Sequence, residues 1–440
     1  MSIICDVLVI GGGPAGSALA TILAERGWNV HVLEKDSHPR FHIGESLLPQ
    51  SLPILQQLGV LPEIEKIGIK KYGAELISHY EGTSQVFYFG RAIDESQPYA
   101  FEVKRDEFDA ILLRNAEAKG AQVYEGMRAQ HVEFHPGKSS IVHAQDRAGT
   151  SLVWETQFVV DASGRDTFLS RQVGGKRRNL QHNSAAIFGH FKDVTRNTGN
   201  DEGNIAVAWH DHGWSWIIPF RDGTASVGVV CWPKYFRSRS VSLDQFLQDT
   251  LLLSPPIAKR MRQAKPISPV YAAANFSYQQ QTMSGEGYLM VGDAFSFIDP
   301  MFSSGVHLAL NSALRGAEVV EAHLQKSPEY TQRLREFESS VKRGIKTFSW
   351  FIHRFTQPAL RSLFVSENPP RFIEKGVLSL LAGDVFGKSP TYLPLLFFKM
   401  FYYLSYITNW RENRAAACRR KQAMASTATN LKDYAVSHQI

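Results

Sequence analysis

The 440 residues are 44% hydrophobic and 11% aromatic, with only 20% charged, which excludes a disordered chain, a coiled coil and a collagen-like fibre. At about 150 residues per domain, the length allows two or three structural units around a sizeable core. Lysine and arginine number 48 against 42 acids, a net charge of +6, with no like-charge run that would bind nucleic acid. Cys5, Cys231 and Cys418 have no metal-ligand or CxxC spacing, so each is expected to be a buried, reduced thiol. The N-terminus lacks the basic start and small-residue cleavage site of a signal peptide, and a cytoplasmic location is expected.

Val7 to Ile10 is a short apolar run ending in glycines, which suits a strand buried on both faces. From Pro14 to Arg26 the apolar residues Ala15, Ala18, Leu19, Ile22 and Leu23 follow a helical stripe, with Gly27 as its cap. Asn29 to Leu33 then reads as a strand ending at Glu34, so the opening is a βαβ unit. Strand-like aromatic sequence covers Tyr72–Tyr99, and Phe108–Ala118 reads as a helix. Phe158–Val160 and Tyr288–Val291 are further buried strands. Ile187–Phe191 and Asn204–Val230 alternate as an antiparallel sheet would. Gly305–His323 is an amphipathic helix, and the last hundred residues are helical and rich in Phe, Tyr and Leu.

Gly11-x-Gly13-x-x-Gly16 lies between the first strand and helix, with Glu34 placed 18 residues after Gly16. Gly11 allows the turn, Gly13 lets amides approach a pyrophosphate, and Gly16 lets helix pack on strand, while the acid suits a ribose. Pro14 and Ala15 open the helix whose N-terminus favours phosphate, and Lys35 and Arg40 stand near the acid. The segments Lys104-Arg105-Asp106, Asp161-Ala162-Ser163-Gly164-Arg165 and Gly292-Asp293-Ala294 follow in order. Together they resemble the FAD-binding aromatic hydroxylase fold. That resemblance implies FAD, with Arg105 against the flavin, Asp293 on the ribityl chain, and Asp161 and Gly292 among the cofactor-binding residues.

Three more motifs narrow the chemistry. Trp214-Ser-Trp216-Ile-Ile-Pro219 is a WxWxIP sequence, whose indoles at i and i+2 would share one face of a strand. Phe297-Ile-Asp299-Pro300-Met-Phe302-Ser303-Ser304-Gly305-Val306 precedes a helix, with Ser303 and Ser304 as natural caps. Lys70-Lys71-Tyr72-Gly73-Ala74 supplies a lysine. This set resembles the flavin-dependent halogenases of phenols and pyrroles.

The resemblance implies an FADH2-dependent enzyme in which O2 gives a flavin C4a-hydroperoxide and chloride or bromide turns it into hypohalous acid. Lys71 would deliver the halogen to an electron-rich phenol or pyrrole, free or tethered to a carrier protein. The amides of Ser304 and Gly305 would hold halide, and Gly305 and Val306 would also meet the flavin. Trp214, Trp216, Pro219, Pro300 and Phe302 would separate flavin from substrate. Free-tryptophan halogenases carry a glutamate where this chain has Phe302, which turns the substrate away from free tryptophan. His42–Pro49 resembles the family loop reaching the flavin, with Gly44 and Ser46 approaching it and Glu45 a surface acid. Only one nucleotide fingerprint is present, so a separate flavin reductase is the expected partner. A monooxygenase, a geranylgeranyl-reductase-like oxidoreductase and a non-catalytic FAD-binding or membrane-associated adaptor are the competing readings on this scaffold.

The expected architecture is α/β: a Rossmann-like FAD-binding domain (about 1–70, 100–180 and 285–330) with an intercalated antiparallel substrate sheet (about 71–99 and 181–284). Residues 331–440 form a helical region covering the substrate side. Tyr392–Trp410 is expected as a buried helix over the cavity rather than a membrane span, because Pro394 and Lys399 interrupt it, with peripheral membrane contact as the second reading. Arg411, Arg414, Arg419, Arg420 and Lys421 would make a basic helix face, either simply solvated or a dock for an acidic carrier protein. His210 and His212 lack a third ligand, so no metal is expected, and His307 is expected to pack near the cofactor rather than act as a base.

Overall fold

The computed structural model describes residues 2–78, 83–179, 183–274, 277–364, 370–387 and 390–424. The opening βαβ unit is Ile3–Ile10, Pro14–Glu25 and Val30–Glu34. Its strands are buried along most of their length, as both-face coverage of a parallel sheet requires. The sheet runs Ser284–Gly285, Tyr288–Met290, Ser151–Asp161, Ile3–Ile10, Val30–Glu34, Gln122–Glu125. Its four central pairings are parallel. The helix Pro14–Glu25 is packed between Arg105–Ala118 and Ser304–Leu324. Gly16 makes the approach possible: a Cβ there would stand 1.9 Å from the Gly11 carbonyl oxygen.

A second sheet runs Lys265–Pro266, Ala185–Lys192, Ala225–Cys231, Gly213–Pro219, Ile205–His210, Gly73–Ser78, Thr83–Tyr88. It is antiparallel except that Ile205–His210 pairs in parallel with Gly73–Ser78, which departs from the all-antiparallel expectation. The exception arises because Gly73–Ser78 enters from the N-terminal part of the chain rather than through a hairpin. One face of this sheet joins the main core and the other packs a separate core with Phe246 and Leu247 of the Leu243–Leu251 helix.

The C-terminal region is helical: Tyr330–Ile352, Pro358–Phe364, Arg371–Leu381, Tyr392–Thr408 and Trp410–Met424. Two expectations are corrected here. The Tyr392–Thr408 helix is not buried: only Pro394, Leu395, Phe398 and Tyr402 are. It meets the body through one stripe at helical spacing and leaves the rest outside. Cys418 is exposed, whereas Cys5 and Cys231 are buried. Burial pushes the Cys5 thiol up to about 12. No described helix is long and apolar enough to cross a membrane.

Candidate active site

One continuous cavity of about 1290 Å³ runs from the glycine turn to the tryptophan wall. At one end it is lined by Gly11, Gly13, Pro14, Ala15, Glu34 and Lys35. Glu34 is buried: its Oε2 accepts the Gly12 N–H at 2.7 Å and its Oε1 the Asp36 N–H at 2.9 Å. Lys35 pairs with Asp166 at 2.6 Å, and Arg40 stands 3.9 Å from Glu34. A Cβ on Gly13 would find no atom nearer than Arg40 Nη2 at 3.8 Å, so this turn is open toward the cavity, as a pyrophosphate cradle must be.

Arg105 is fixed by both oxygens of Asp109, at 2.7 and 2.9 Å, and donates to the Ile43 carbonyl at 2.7 Å. That holds the Gly44–Ser46 loop against the cavity. Asp293 also lines it, its carboxyl raised to about 6 by burial, with Arg165 and Arg105 opposing. Ser303, Gly305 and Val306 line the wall opposite. An open amide turn, a loop pinned by an arginine and a carboxyl facing one elongated space together fit FAD.

Four residues expected at the cofactor or wall are not among the cavity-lining residues. Asp161 is fully buried and its carboxylate accepts from Ser163 N at 2.9 Å and Leu169 N at 2.8 Å; it shapes the turn presenting Ser163 and Arg165. Gly292 donates its N–H to Ser312 Oγ at 2.8 Å. Gly16 is spent on helix packing. Pro219 has the wrong strand parity: Trp214, Trp216 and Ile218 face the cavity, while Ile217 belongs to the second core. Ser304 is likewise buried, although its neighbours Ser303 and Gly305 reach the wall.

The two indoles share one face, with ring centroids 5.6 Å apart. Trp216 donates to Ser226 Oγ at 3.2 Å and lies over Gly228, where a Cβ would meet its ring at 2.3 Å. Gly228 was invisible as a site residue in the sequence because its role is set by the neighbouring strand. Pro300 and Phe302 also line the cavity, and Phe302 packs against Phe355 and Phe364 of the C-terminal region, at 5.2 and 6.4 Å.

The backbone before the Ser304–Leu324 helix is unusual. Phe302 (φ 63°, ψ 15°) and Ser303 (φ 54°, ψ 25°) are both left-handed, a costly conformation for non-glycine residues that clusters at functional sites. The N-cap residue Ser303 makes no side-chain hydrogen bond to the helix, which corrects the expectation of a serine cap. An N-cap side chain reaches its amides from extended backbone, not from this one. A left-handed residue followed by a right-handed one makes a concavity of successive amides suited to an anion.

Lys71 is 1% exposed and its Nζ donates to Ser46 Oγ at 2.6 Å. Ser46 in turn donates to Glu102 Oε1 at 3.2 Å, and Nζ stands 3.6 Å from that oxygen. Glu102 is fully buried and its Oε2 has no hydrogen-bond partner among the described residues. Burial lowers the Lys71 ammonium and raises Glu102 to about 7, each opposed by the other's charge. Lys70, by contrast, is exposed, with its ammonium over the Tyr99 ring.

Glu102 is the residue that reading the sequence missed. Its signal was a lone acid within the apolar run Tyr99-Ala-Phe-Glu-Val103. Glu45 was misplaced: it is 1% exposed, lines the cavity and meets His190 Nε2 at 2.6 Å. Its arginine-pinned loop folds inward, so the acid is not at the surface. His307 is buried against Ser51 Oγ at 3.2 Å and Asn311. His210 is buried, and His212 stacks on Tyr235 at 3.9 Å.

The chain matches the FAD binding domain family over residues 4–329. It is 31% identical to a 1H-pyrrole-2-carbonyl-[peptidyl-carrier protein] chlorinase of Pseudomonas fluorescens, over 87% of this chain and 90% of that one. It is 35% identical to a tryptophan 2-halogenase of Chondromyces crocatus, covering 74% of this chain and 64% of the longer relative. Among solved structures, a flavin-dependent brominase superposes with a TM-score of 0.81 at 26% identity, covering 91% of this chain and 99% of that one. The chain belongs to the FAD-binding flavoproteins and, within them, to the flavin-dependent halogenases.

Proposed function

We propose that this enzyme uses FADH2 from a separate flavin reductase, O2 and chloride or bromide to halogenate an electron-rich phenol or pyrrole, and that it works in the cytoplasm. The observation that carries the reading is Lys71, a buried ammonium on the wall of the cavity that also holds the Trp214/Trp216 face. The activity of the Pseudomonas relative, on a pyrrole-2-carbonyl carrier protein, supports a substrate tethered to a carrier protein.

The residues divide the work. Gly11, Gly13, Glu34, Arg105 and Asp293 would hold FAD, whose chemistry when bound is the oxidation of halide to hypohalous acid. The amides of Ser304 and Gly305 would bind halide at the strained turn. Trp214, Trp216, Pro300 and Phe302 would keep the arene from the flavin side, so that the oxidant and not the substrate crosses the cavity. Lys71 as ammonium would donate to the hypohalous oxygen, and as amine would accept the halogen. Glu102, through Ser46, holds the Lys71 nitrogen in place and can take its proton. Position 302 carries a phenylalanine and not a carboxylate, and Glu102 supplies a carboxylate next to the lysine.

The test combines the protein with FAD, a flavin reductase, NADH, bromide and a panel of phenols and pyrroles, free and carrier-bound. Mass spectrometry should show a bromine isotope pattern that Lys71→Ala reduces at least 100-fold, about 3 kcal/mol of barrier. A product heavier by one oxygen and without halogen would instead establish the hydroxylase reading.

A further inference from the structure

A second functional surface lies away from the cavity. On the Tyr392–Thr408 helix, Leu393, Leu396, Met400, Leu404 and Ile407 form an outer stripe at helical spacing and are between 46% and 66% exposed. Phe397 and Phe372 extend it sideways, with ring centroids 6.0 Å apart. Contiguous exposed apolar surface of this kind marks an interaction site. The helix's opposite stripe is anchored: Phe398 packs on Phe351 and Phe364 at 5.4 and 6.0 Å, and Tyr402 on Trp350 at 5.2 Å.

We infer that this face seats the enzyme on an anionic lipid surface, with the helix lying in the plane of the interface. Its 17 residues span about 26 Å, short of the roughly 30 Å hydrocarbon core, and the anchored stripe keeps it parallel to the protein body. Charge supports the same occupant. The next helix, Trp410–Met424, exposes Arg411, Arg414, Arg419 and Lys421 against the single acid Glu412. An apolar helix face bordered by cations and by Tyr and Trp side chains is what an anionic bilayer interface attracts. A second copy docked with these helices in parallel would set each basic helix beside an identical one, and an antiparallel copy is an outcome of the test. No residue of either helix lines the cavity, which separates this face from the delivery of a tethered substrate.

Flotation of the full-length FAD-loaded enzyme with vesicles tests the inference. Vesicles of phosphatidylglycerol and phosphatidylcholine should carry the protein at least 10-fold better than pure phosphatidylcholine, and 0.5 M salt should weaken this. Leu396→Glu/Met400→Glu should abolish flotation. Arg414→Glu/Arg419→Glu/Lys421→Glu should remove the preference for anionic lipid. All are surface changes, and unchanged melting temperatures would confirm folding. The inference is overturned if the protein ignores vesicles and sediments as a dimer that Leu396→Glu/Met400→Glu dissolves. It is equally overturned if those substitutions change only the binding of an acyl carrier protein, or if the enzyme stays monomeric and unbound throughout.

Discussion

Two regions of this molecule depart from ordinary protein surfaces in opposite directions. At Lys71 and Glu102 two ionisable groups of opposite sign are buried, where removing an ion from water costs several kcal/mol. On the Tyr392–Thr408 helix large apolar side chains are left in water. The first arrangement is offset in part because Lys71 donates to Ser46 and Ser46 to Glu102 Oε1, which leaves only Glu102 Oε2 without a partner among them. The second stays between 39% and 75% exposed, even where Phe397 touches Phe372. Buried charge therefore points inward to chemistry that a solvated lysine would perform poorly, and exposed apolar area points outward to something the enzyme meets.

The sharpest way to break the comparison is to remove one charge of the pair. Glu102→Leu leaves the Lys71 ammonium buried and unpaired and should cost about 3–5 kcal/mol of stability. The double variant Lys71→Met/Glu102→Leu should recover most of it, since two apolar groups of similar volume replace the pair. Urea unfolding of the single and double variants measures this. A single variant as stable as the parent would mean that Lys71 is neutral in the folded enzyme.

Buried titratable groups away from the cavity supply a control. Burial lowers the His307 imidazole from 6.5 to about 4. A base whose folded pKa is depressed stabilises fully above its unfolded value and loses that contribution as pH falls toward the folded one. Stability should therefore drop between pH 6.5 and 4, by on the order of 3 kcal/mol from this group. His307→Gln should flatten that part of the acid limb in thermal melts while leaving the pH dependence of halogenation unchanged. Movement of the activity profile with His307→Gln would tie this histidine to the reaction after all.

Much of this was legible in the sequence because the informative residues were local. The βαβ unit, Lys71, the Trp214/Trp216 pair and the glycine-serine turn each sit within a few residues of one another and of the strand or helix that orients them. What was not legible depends on contacts between distant segments. Glu102 reaches Ser46 across 56 residues, and Gly228 matters only because the next strand brings Trp216 over it. WxWxIP as a single motif puts Pro219 with the indoles, but alternate residues of a strand face opposite cores, and Pro219 does not line the cavity. Composition alone points to a buried Tyr392–Thr408 helix; which stripe packs depends on partners at Trp350, Phe351 and Phe364 that no local pattern reveals.

Phe397 and Phe398 compress the whole comparison into neighbouring residues. Phe398 is 5% exposed and lies among aromatic rings, whereas Phe397 is 43% exposed and its ring neighbour, Phe372, is 52% exposed. Truncating a buried Phe to Ala ordinarily costs about 3–5 kcal/mol, and Phe398→Ala should follow. Phe397→Ser should fall within about ±0.5 kcal/mol, as surface changes do, because the side chain loses little contact it holds in the folded monomer. Melting curves without vesicles check this. A Phe397→Ser loss above about 2 kcal/mol would show that the outer stripe is packed in solution, either by the enzyme's own remaining residues or by a second copy. Near-zero cost combined with weaker flotation would show instead that the chain keeps this phenylalanine for a surface outside itself.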